Sequence, residues 1–318
     1  MYDPEEINEC ENAAIFGDAS AQFKLALMYI NTGKNPYVAS YWCRQAAEQG
    51  HAGAQYLLGL MYKSGDGINQ DIEKALYWLE KSAEQDNAPA QHCLGLMYLK
   101  GNGVDKSYIE AFYWLKRAAT QNLANAQYDL GIMYLYGEGV HQDSKKAFYW
   151  IEKSAKQGFP RAQEFLGTMY SEGNGTDKDY VKGAYWLHEA ANQDFAPAQY
   201  DLAIMYADGK GVNKDIEKAF YWFKKAAEQD IIPAQYNLGI LYLDGCGIEQ
   251  DVDKAFYWLK KAADKGFNEA QYRLGIIFLE GKVVEQNMSA GILWLLKAAN
   301  QNHKRAQELL EKLKNNTL

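Results

Sequence analysis

The ten residues Lys254–Ala263, "KAFYWLKKAA", place three consecutive aromatic side chains between lysines and alanines. Such a cluster is compatible with a stacking platform for a ligand, with a catalytic site or with a packed helix. Four close copies precede it in the chain. They are "KALYWLEKSA" from Lys74, "EAFYWLKRAA" from Glu110, "KAFYWIEKSA" from Lys146 and "KAFYWFKKAA" from Lys218. This recurrence indicates a repeated structural unit.

The tryptophans define the period of the repeat. They stand 36 residues apart, at Trp42, Trp78, Trp114, Trp150, Trp186, Trp222, Trp258 and Trp294. An Ala-Gln pair marks a second register, with a first step of 33 residues and later steps of 36. Its alanines are Ala21, Ala54, Ala90, Ala126, Ala162, Ala198, Ala234, Ala270 and Ala306. A fixed period of this size is typical of a solenoid. We therefore predict one continuous array of about eight repeats over residues 1–318, with a capping helix in 1–17, repeats in 18–302 and a second capping helix in 303–318.

Each repeat is predicted to hold two helices joined by a turn. Glycines that suit a left-handed C-cap follow the first helix. They are Gly65, Gly101, Gly137, Gly173, Gly209, Gly245 and Gly281. Residues with good N-cap side chains precede the second helix. They are Asn35, Asp71, Ser107, Asp143, Asp179, Asp215, Asp251 and Asn287. With a lone helix at each end, Glu5–Phe16 and His303–Leu313, the chain is predicted to be all-α with eighteen helices.

A small residue recurs inside the first helix. Counting the alanine of the Ala-Gln pair as position 0, position 5 is Gly59, Gly95, Gly131, Gly167, Gly239 and Gly275. Glycine in a helix interior costs about 1 kcal/mol relative to alanine. We therefore expect these glycines to permit close approach of a neighbouring helix, and Ala203 at the same position indicates a limit on size.

The three aromatic residues of the opening stretch point in different directions on a helix. Leu259 belongs to an apolar stripe, Trp258 lies at its edge and Tyr257 lies on the opposite face. They are therefore predicted to be helix packing and surface, not one stacking platform. The exposed tyrosine row comprises Tyr41, Tyr77, Tyr113, Tyr149, Tyr185, Tyr221 and Tyr257. Lysines such as Lys74 and Lys81 are expected to cover Tyr77, and weak self-association through this row is the alternative.

Composition limits the classes of function. The formal net charge is -8 and the isoelectric point is about 5.3, which disfavours nucleic-acid binding. Neither a long apolar run nor a signal peptide is visible, so we expect no membrane insertion and a cytoplasmic location. A periplasmic or secreted location would follow if a signal peptide had been removed. The four cysteines are expected at unrelated repeat positions, as reduced thiols.

Motifs for catalysis or cofactor binding were not found in the sequence. It contains neither His-Glu-x-x-His nor Cys-x-x-Cys, and the Gly-x-Gly loops follow helices without a Gly-Lys-Ser/Thr motif. His92 is expected at the surface beside a partly buried Cys93. We predict no metal, no cofactor and no catalytic residue, although a carboxylate pair in an acidic groove stays open.

The repeat resembles the Sel-one-like repeat (SLR) family, relatives of tetratricopeptide repeats. The resemblance rests on the Ala-Gln-Tyr-x-Leu-Gly-x-x-Tyr first helix, the Gly-x-Gly-Val/Ile loop and the Lys-Ala-x-x-Trp-x-x-Lys-Ala-Ala second helix. It implies a right-handed α/α superhelix, with first helices lining the concave face of a bacterial, non-enzymatic adaptor. Hydrolysis of cell-wall-type substrates, assigned to some relatives, is the alternative. Val283 departs from the loop glycine, and Gly183 and Gly291, which replace alanine, are expected to loosen helix packing.

Positions 3 and 10 of the first helix vary most along the array. They lie seven residues apart, about 20° in azimuth, on one face of the helix. The candidate partner-binding residues at these positions are Asp129, Tyr136, Phe165, Glu172, Asp201, Asp208, Asn237, Asp244, Arg273 and Glu280. If this stripe faces the groove, as the resemblance implies, it forms an acidic channel for a basic or amphipathic segment of another protein. An ordinary solvated face in an acidic protein is the competing interpretation.

Overall fold

The computed structural model describes residues 4–33 and 35–315, and these residues form eighteen α-helices without a β-strand. The helices are α1 Pro4–Ile15, α2 Ala19–Thr32, α3 Pro36–Glu48, α4 Ala52–Ser64, α5 Ile72–Glu84, α6 Ala88–Lys100, α7 Tyr108–Thr120, α8 Ala124–Tyr136, α9 Ser144–Lys156, α10 Pro160–Glu172, α11 Tyr180–Asn192, α12 Ala196–Asp208, α13 Ile216–Glu228, α14 Ile232–Asp244, α15 Val252–Asp264, α16 Asn268–Glu280, α17 Met288–Asn300 and α18 Lys304–Asn315. The predicted all-α fold is confirmed. Even-numbered helices from α2 to α16 are first helices, and odd-numbered helices from α3 to α17 are second helices.

Two compact units divide the chain, unit 1 (Met1–Ala162) and unit 2 (Gln163–Leu318), and their boundary falls within α10. In unit 1 each helix from α1 to α9 packs on its neighbours in sequence, and α11 to α18 do the same in unit 2. This pairing is consistent with a solenoid. A single continuous array over residues 1–318 stays a prediction. The predicted capping segments contain α1 and α18, while residues 1–3 and 316–318 lie outside the described part.

The predicted caps set the helix boundaries. The Asp251 side chain accepts a hydrogen bond from the backbone N–H of Lys254 at 2.9 Å, which satisfies a free donor of α15. Gly245 has φ 65°, and its N–H donates to the Leu241 carbonyl at 3.0 Å. Equivalent residues cap the other predicted second helices, so this part of the prediction is confirmed.

The glycines at position 5 bring the two helices of a repeat close together. A Cβ on Gly239 would lie 2.8 Å from Cγ of Leu259, which is fully buried on α15. Where alanine occupies position 5, the opposing residue of the second helix also differs from leucine. Ala26 and Cys43 belong to one core cluster, as do Ala203 and Phe223.

The cysteines correct one expectation. Cys10 and Cys43 occupy the same repeat position, because each donates its Sγ–H to an alanine carbonyl eleven residues later, at 3.3 and 3.2 Å. Burial raises the pKa of the Cys43 thiol to about 12. All four cysteines are free, and only Cys246 among them is exposed.

The expectation that Gly183 and Gly291 loosen the packing is wrong. A Cβ on Gly183 would lie 2.4 Å from Ser171 Oγ, and one on Gly291 would lie 2.7 Å from Leu279 Cδ2. Side chains of the first helix therefore fill the space that alanine methyl groups would need.

A glutamine ladder joins consecutive helices. Within each unit, glutamines of the Ala-Gln pairs donate to a carbonyl of the preceding second helix. Most of these glutamines also accept from a glutamine at the end of their own second helix. Gln199, for example, donates to the Ala191 carbonyl at 3.3 Å and accepts from Gln229 Nε2 at 2.9 Å. At Gln235 the ladder is interrupted, because Lys265 stands where the donor glutamine would be. The buried Gln235 Oε1 has no hydrogen-bond partner among the described residues.

The aromatic residues of the opening stretch diverge as predicted. Tyr257 is exposed, whereas Trp258 packs against the core cluster of unit 2 and contacts the Tyr257 ring edge-on. Lys81 lies over the Tyr77 ring at 5.9 Å, which confirms part of the cation–π prediction. Lys74 was predicted wrongly, because its ammonium lies over Tyr62 at 5.6 Å.

Candidate partner-binding surface

The first-helix row, defined as positions 3 and 10 of α8, α10, α12, α14 and α16, has two levels of exposure. The position 10 residues are exposed: Tyr136, Glu172, Asp208, Asp244 and Glu280. The position 3 residues are half-buried: Asp129, Phe165, Asp201, Asn237 and Arg273. Asp129 and Tyr136 belong to unit 1 and the others to unit 2. The row therefore offers outer side chains to solvent and inner ones to the neighbouring helix.

Four successive first helices of unit 2 end in an exposed carboxylate. These are Glu172, Asp208, Asp244 and Glu280. Asp208 pairs with Lys210 at 2.7 Å and Glu280 with Lys282 at 3.4 Å. Exposed pairs of this kind contribute about 1 kcal/mol or less, so a ligand cation can compete with them.

In three cases a position 3 residue contacts the position 2 residue of the preceding first helix, a relation that the sequence did not predict. In unit 1, His92 Nε2 lies 2.7 Å from Asp129 Oδ2. In unit 2, Tyr200 hydrogen-bonds Asn237. Position 2 is aromatic in most repeats. The two polar residues at this position, His92 and Glu164, are the sequence feature that could have indicated these contacts.

His92 therefore differs from its expected surface role. Its side chain is half-buried between α6 and α8, with Asn125 Nδ2 3.3 Å from the second ring nitrogen. Cys93 is buried, and its Sγ lies 3.7 Å from Lys63 Nζ. The two adjacent side chains face different partners.

Asp201 and Glu164 form a carboxyl pair between α12 and α10 in unit 2. Burial raises the pKa of Asp201 to about 6, and its hydrogen bond with Glu164 opposes that rise. Asp201 is thus a weaker source of negative charge near neutral pH than the exposed Asp208 or Asp244. The acidic character of the row lies mainly at position 10.

Arg273 differs from the other residues of the row. It lines a pocket of about 390 Å³ together with Glu280, Lys282 and apolar side chains. Its Nε atom is buried and has no acceptor among residues 4–33 and 35–315. Arg273 is thus the single basic side chain of the row, and it stands on the same helix as the exposed Glu280.

No group of three or more metal-ligating side chains lies together within the described residues. In the same part of the chain, none of the helices has the length and apolar character needed to cross a membrane.

Comparison with protein families matches eight consecutive Sel1 repeats. The matched segments are 19–51, 52–87, 88–123, 124–159, 160–195, 196–231, 232–267 and 268–303. The chain belongs to the Sel1 repeat family. One similar solved structure is c5321, a protective antigen present in uropathogenic Escherichia coli strains and displaying an SLR fold. This Sel1 repeat chain is 34% identical to it. The match covers 96% of this chain and 67% of c5321, with a TM-score of 0.89.

A Sel1 repeat protein from Oxalobacter formigenes is 32% identical over 96% of this chain and 89% of its own, with a TM-score of 0.71. A search of curated proteins returned no match. Sel1 repeats form a scaffold fold that commonly mediates protein–protein interaction, and members of the family are generally non-catalytic.

Proposed function

We propose that this chain is a non-enzymatic scaffold that binds a basic or amphipathic segment of a partner protein along the part of the first-helix row that lies in unit 2. The observation that supports the proposal is the series of exposed carboxylates at the ends of α10, α12, α14 and α16. Each of these carboxylates lies one repeat after the preceding one. An extended segment with spaced lysines or arginines complements such a series in charge.

The residues of the row have different roles in this proposal. Asp208 and Asp244 supply charge, since both are exposed. Phe165 supplies apolar surface for an amphipathic segment in unit 2, and Tyr136 is an exposed aromatic side chain of unit 1. Asn237 supplies polar contacts. Asp129 and Asp201 contribute less charge to a ligand, because one pairs with His92 and the other has a raised pKa.

A selection of random twelve-residue peptides on the immobilised protein tests the proposal. We expect enrichment of lysine and arginine, and affinities that fall between about 50 and 300 mM salt, since exposed charges are screened. The variant D208K/D244K should weaken binding of the selected peptides at least about tenfold by fluorescence anisotropy.

The matched control is E228K/D264K, which changes the net charge equally at exposed residues of two second helices of unit 2. It should leave peptide affinity within about twofold. Selected peptides without excess basic residues, or equal effects of the two charge reversals, would favour an ordinary solvated face.

A hydrolase would need a nucleophile or water beside an activating base. Glu164 and Asp201 form a carboxyl pair, but their direct hydrogen bond leaves no space between them for a water nucleophile.

The proposal also includes a cytoplasmic location, which the free, buried Cys10, Cys43 and Cys93 support. Weak self-association through the tyrosine row stays a separate prediction, which light scattering at two concentrations tests.

A further inference from the structure

The pocket at Arg273 arises from one departure from the repeat. In five earlier loops the second glycine has positive φ and lies against the first residue of the preceding second helix. Gly247, for example, has φ 74°, and a Cβ there would be 2.8 Å from Ile216. Val283 stands at the equivalent position and does not adopt the left-handed conformation.

The first residue of α15, Val252, lines the pocket together with Val283. It is 38% exposed, whereas its counterparts Ile72 and Ile216 are only partly exposed beneath their loops. Val252, Val283 and Leu243 form an apolar side of the pocket. Its volume of about 390 Å³ lies near the lower end of the range for small-ligand sites, about 300–1,000 Å³.

The charged side of the pocket has an excess of positive charge. Glu280 and Lys282 pair with each other at 3.4 Å, which leaves the Arg273 guanidinium without a carboxylate partner among the described residues. Its Nε is also buried without an acceptor. A buried donor without a partner is unfavourable, and a carboxylate is the ligand that matches a guanidinium in charge and geometry.

We propose that this pocket binds an acidic side chain of a partner segment together with an adjacent branched aliphatic side chain. The carboxylate accepts hydrogen bonds from Arg273, and the aliphatic side chain covers Val252 and Val283. This inference rests on the proposed function, because it adds an anchoring point at the α16 end of the first-helix row. It gives the bound segment a polarity, with basic residues along α12 and α14 and an apolar-acidic pair at α16.

The test uses two neutral-ended probes, acetyl-Leu-Asp-amide and acetyl-Leu-Asn-amide, and protein labelled with ¹⁵N-arginine. The chain has five arginines, so the Arg273 Nε–H signal can be assigned by its loss in R273Q. We expect the Leu-Asp probe to shift this signal saturably, at concentrations at least about tenfold lower than the Leu-Asn probe requires.

Two variants separate the pocket from general charge. V283G restores the loop glycine of the preceding repeats and should abolish the shift by covering Val252. R305Q removes an exposed charge from α18 and should leave the response of Arg273 unchanged. Equal responses to both probes, or a shift retained in V283G, would refute the proposal.

The source of the carboxylate is tested with acetyl-Asn-Leu bearing a free C-terminal carboxylate. Stronger binding of this probe than of acetyl-Leu-Asp-amide would overturn the assignment to an internal acidic side chain. Because none of these probes contains lysine, their result does not depend on Asp208 and Asp244. Failure of the acidic row and failure of the pocket are therefore distinguishable.

Discussion

Lys265 interrupts the glutamine ladder next to Gln235. The lysine and Lys261 both pair with Asp230, at 2.8 and 3.0 Å, and Gln235 Oε1 stays buried without a donor among the described residues. We predict that K265Q raises the free energy of unfolding by about 1 kcal/mol, because the new amide donates to Gln235. Urea denaturation measures the change.

The preceding repeat supplies the reference for K265Q. There Gln229 Nε2 bonds both Gln199 and Asp194, at 2.9 and 3.1 Å, so the amide introduced by K265Q should keep a contact with Asp230 as well. The reciprocal variant Q229K should destabilise the chain. Unchanged stability in both variants would mean that the ladder contributes little.

Asp201 is predicted to make stability depend on pH. Its folded-state pKa of about 6 lies above the ordinary value of 3.8, so the folded protein favours the protonated form. The stabilising contribution is complete below about pH 4 and is lost as the pH rises through 6. We expect D201N to raise the free energy of unfolding at pH 7.5 by on the order of 1–3 kcal/mol, with a smaller gain at pH 4.5.

Asparagine is compatible with this site, since Asn237 occupies the equivalent position and hydrogen-bonds Tyr200. Urea denaturation of D201N at both pH values measures the effect. The control D208N alters an exposed ion pair and should change stability by less than about 1 kcal/mol. A gain for D201N that is equal at both pH values would contradict the pKa assignment.

Side-chain relations across repeats were the part that the sequence did not predict. The Ala-Gln pair was recognised as a register, but the ladder requires Gln199 and Gln229 to be neighbours in space. The pairing of Glu164 with Asp201 likewise joins position 2 of one helix to position 3 of the next. Such contacts depend on the offset between packed helices, which the periodicity of one helix does not specify.

At the scale of the element, the sequence predicted the helices and their ends well, because caps depend on local geometry. Asp251 and Gly245 act through backbone groups within four residues of themselves. Position 5 was also predicted as a site of close approach. The sequence did not identify the residue of the second helix that faces position 5. That residue decides whether glycine or alanine fits there.

The helix pair α14 and α15 tests this rule of complementary size. G239A should destabilise the chain by about 1–3 kcal/mol, since its Cβ would meet Leu259 Cγ at 2.8 Å and overpacking exceeds the gain in helix propensity. L259C alone should also destabilise, by loss of buried volume. The double variant G239A/L259C reproduces the Ala26 and Cys43 pair of the first repeat.

We therefore expect the double variant to be more stable than the sum of the single effects predicts, with a coupling of about 1 kcal/mol or more. Urea denaturation of the four proteins gives the coupling directly. Additive effects would show that Gly239 is selected for a reason other than the size of the residue at 259.

Across the whole molecule, the period and the family resemblance predicted an array of paired helices, and helices within each unit do pack on their sequence neighbours. The single basic residue Arg273 was visible in the sequence, but the pocket was not. It depends on the backbone that Val283 adopts and on the exposure of Val252. The partner itself is specified by side chains of another protein, so this chain predicts only its chemistry.

The modular architecture predicts that one whole repeat can be removed from unit 1. Deletion of residues 52–87, which are one matched segment, joins His51 to Ala88. His51 then still stands three residues before the alanine of an Ala-Gln pair. It should therefore cap α6 as it now caps α4. Because stability in a repeat array is a sum of repeat and nearest-neighbour terms, the shortened chain should keep its helical ellipticity per residue.

Deletion of residues 52–69 is the matched control, because it removes α4 and leaves α5 without its partner in the repeat. We expect that variant to lose ellipticity and to unfold at lower urea concentration. Circular dichroism compares the two, and the Arg273 signal should still respond to acetyl-Leu-Asp-amide after the whole-repeat deletion, since the pocket lies in unit 2. Equal loss of structure in both deletions would mean that unit 1 folds around one indivisible core and not as a series of nearest-neighbour contacts.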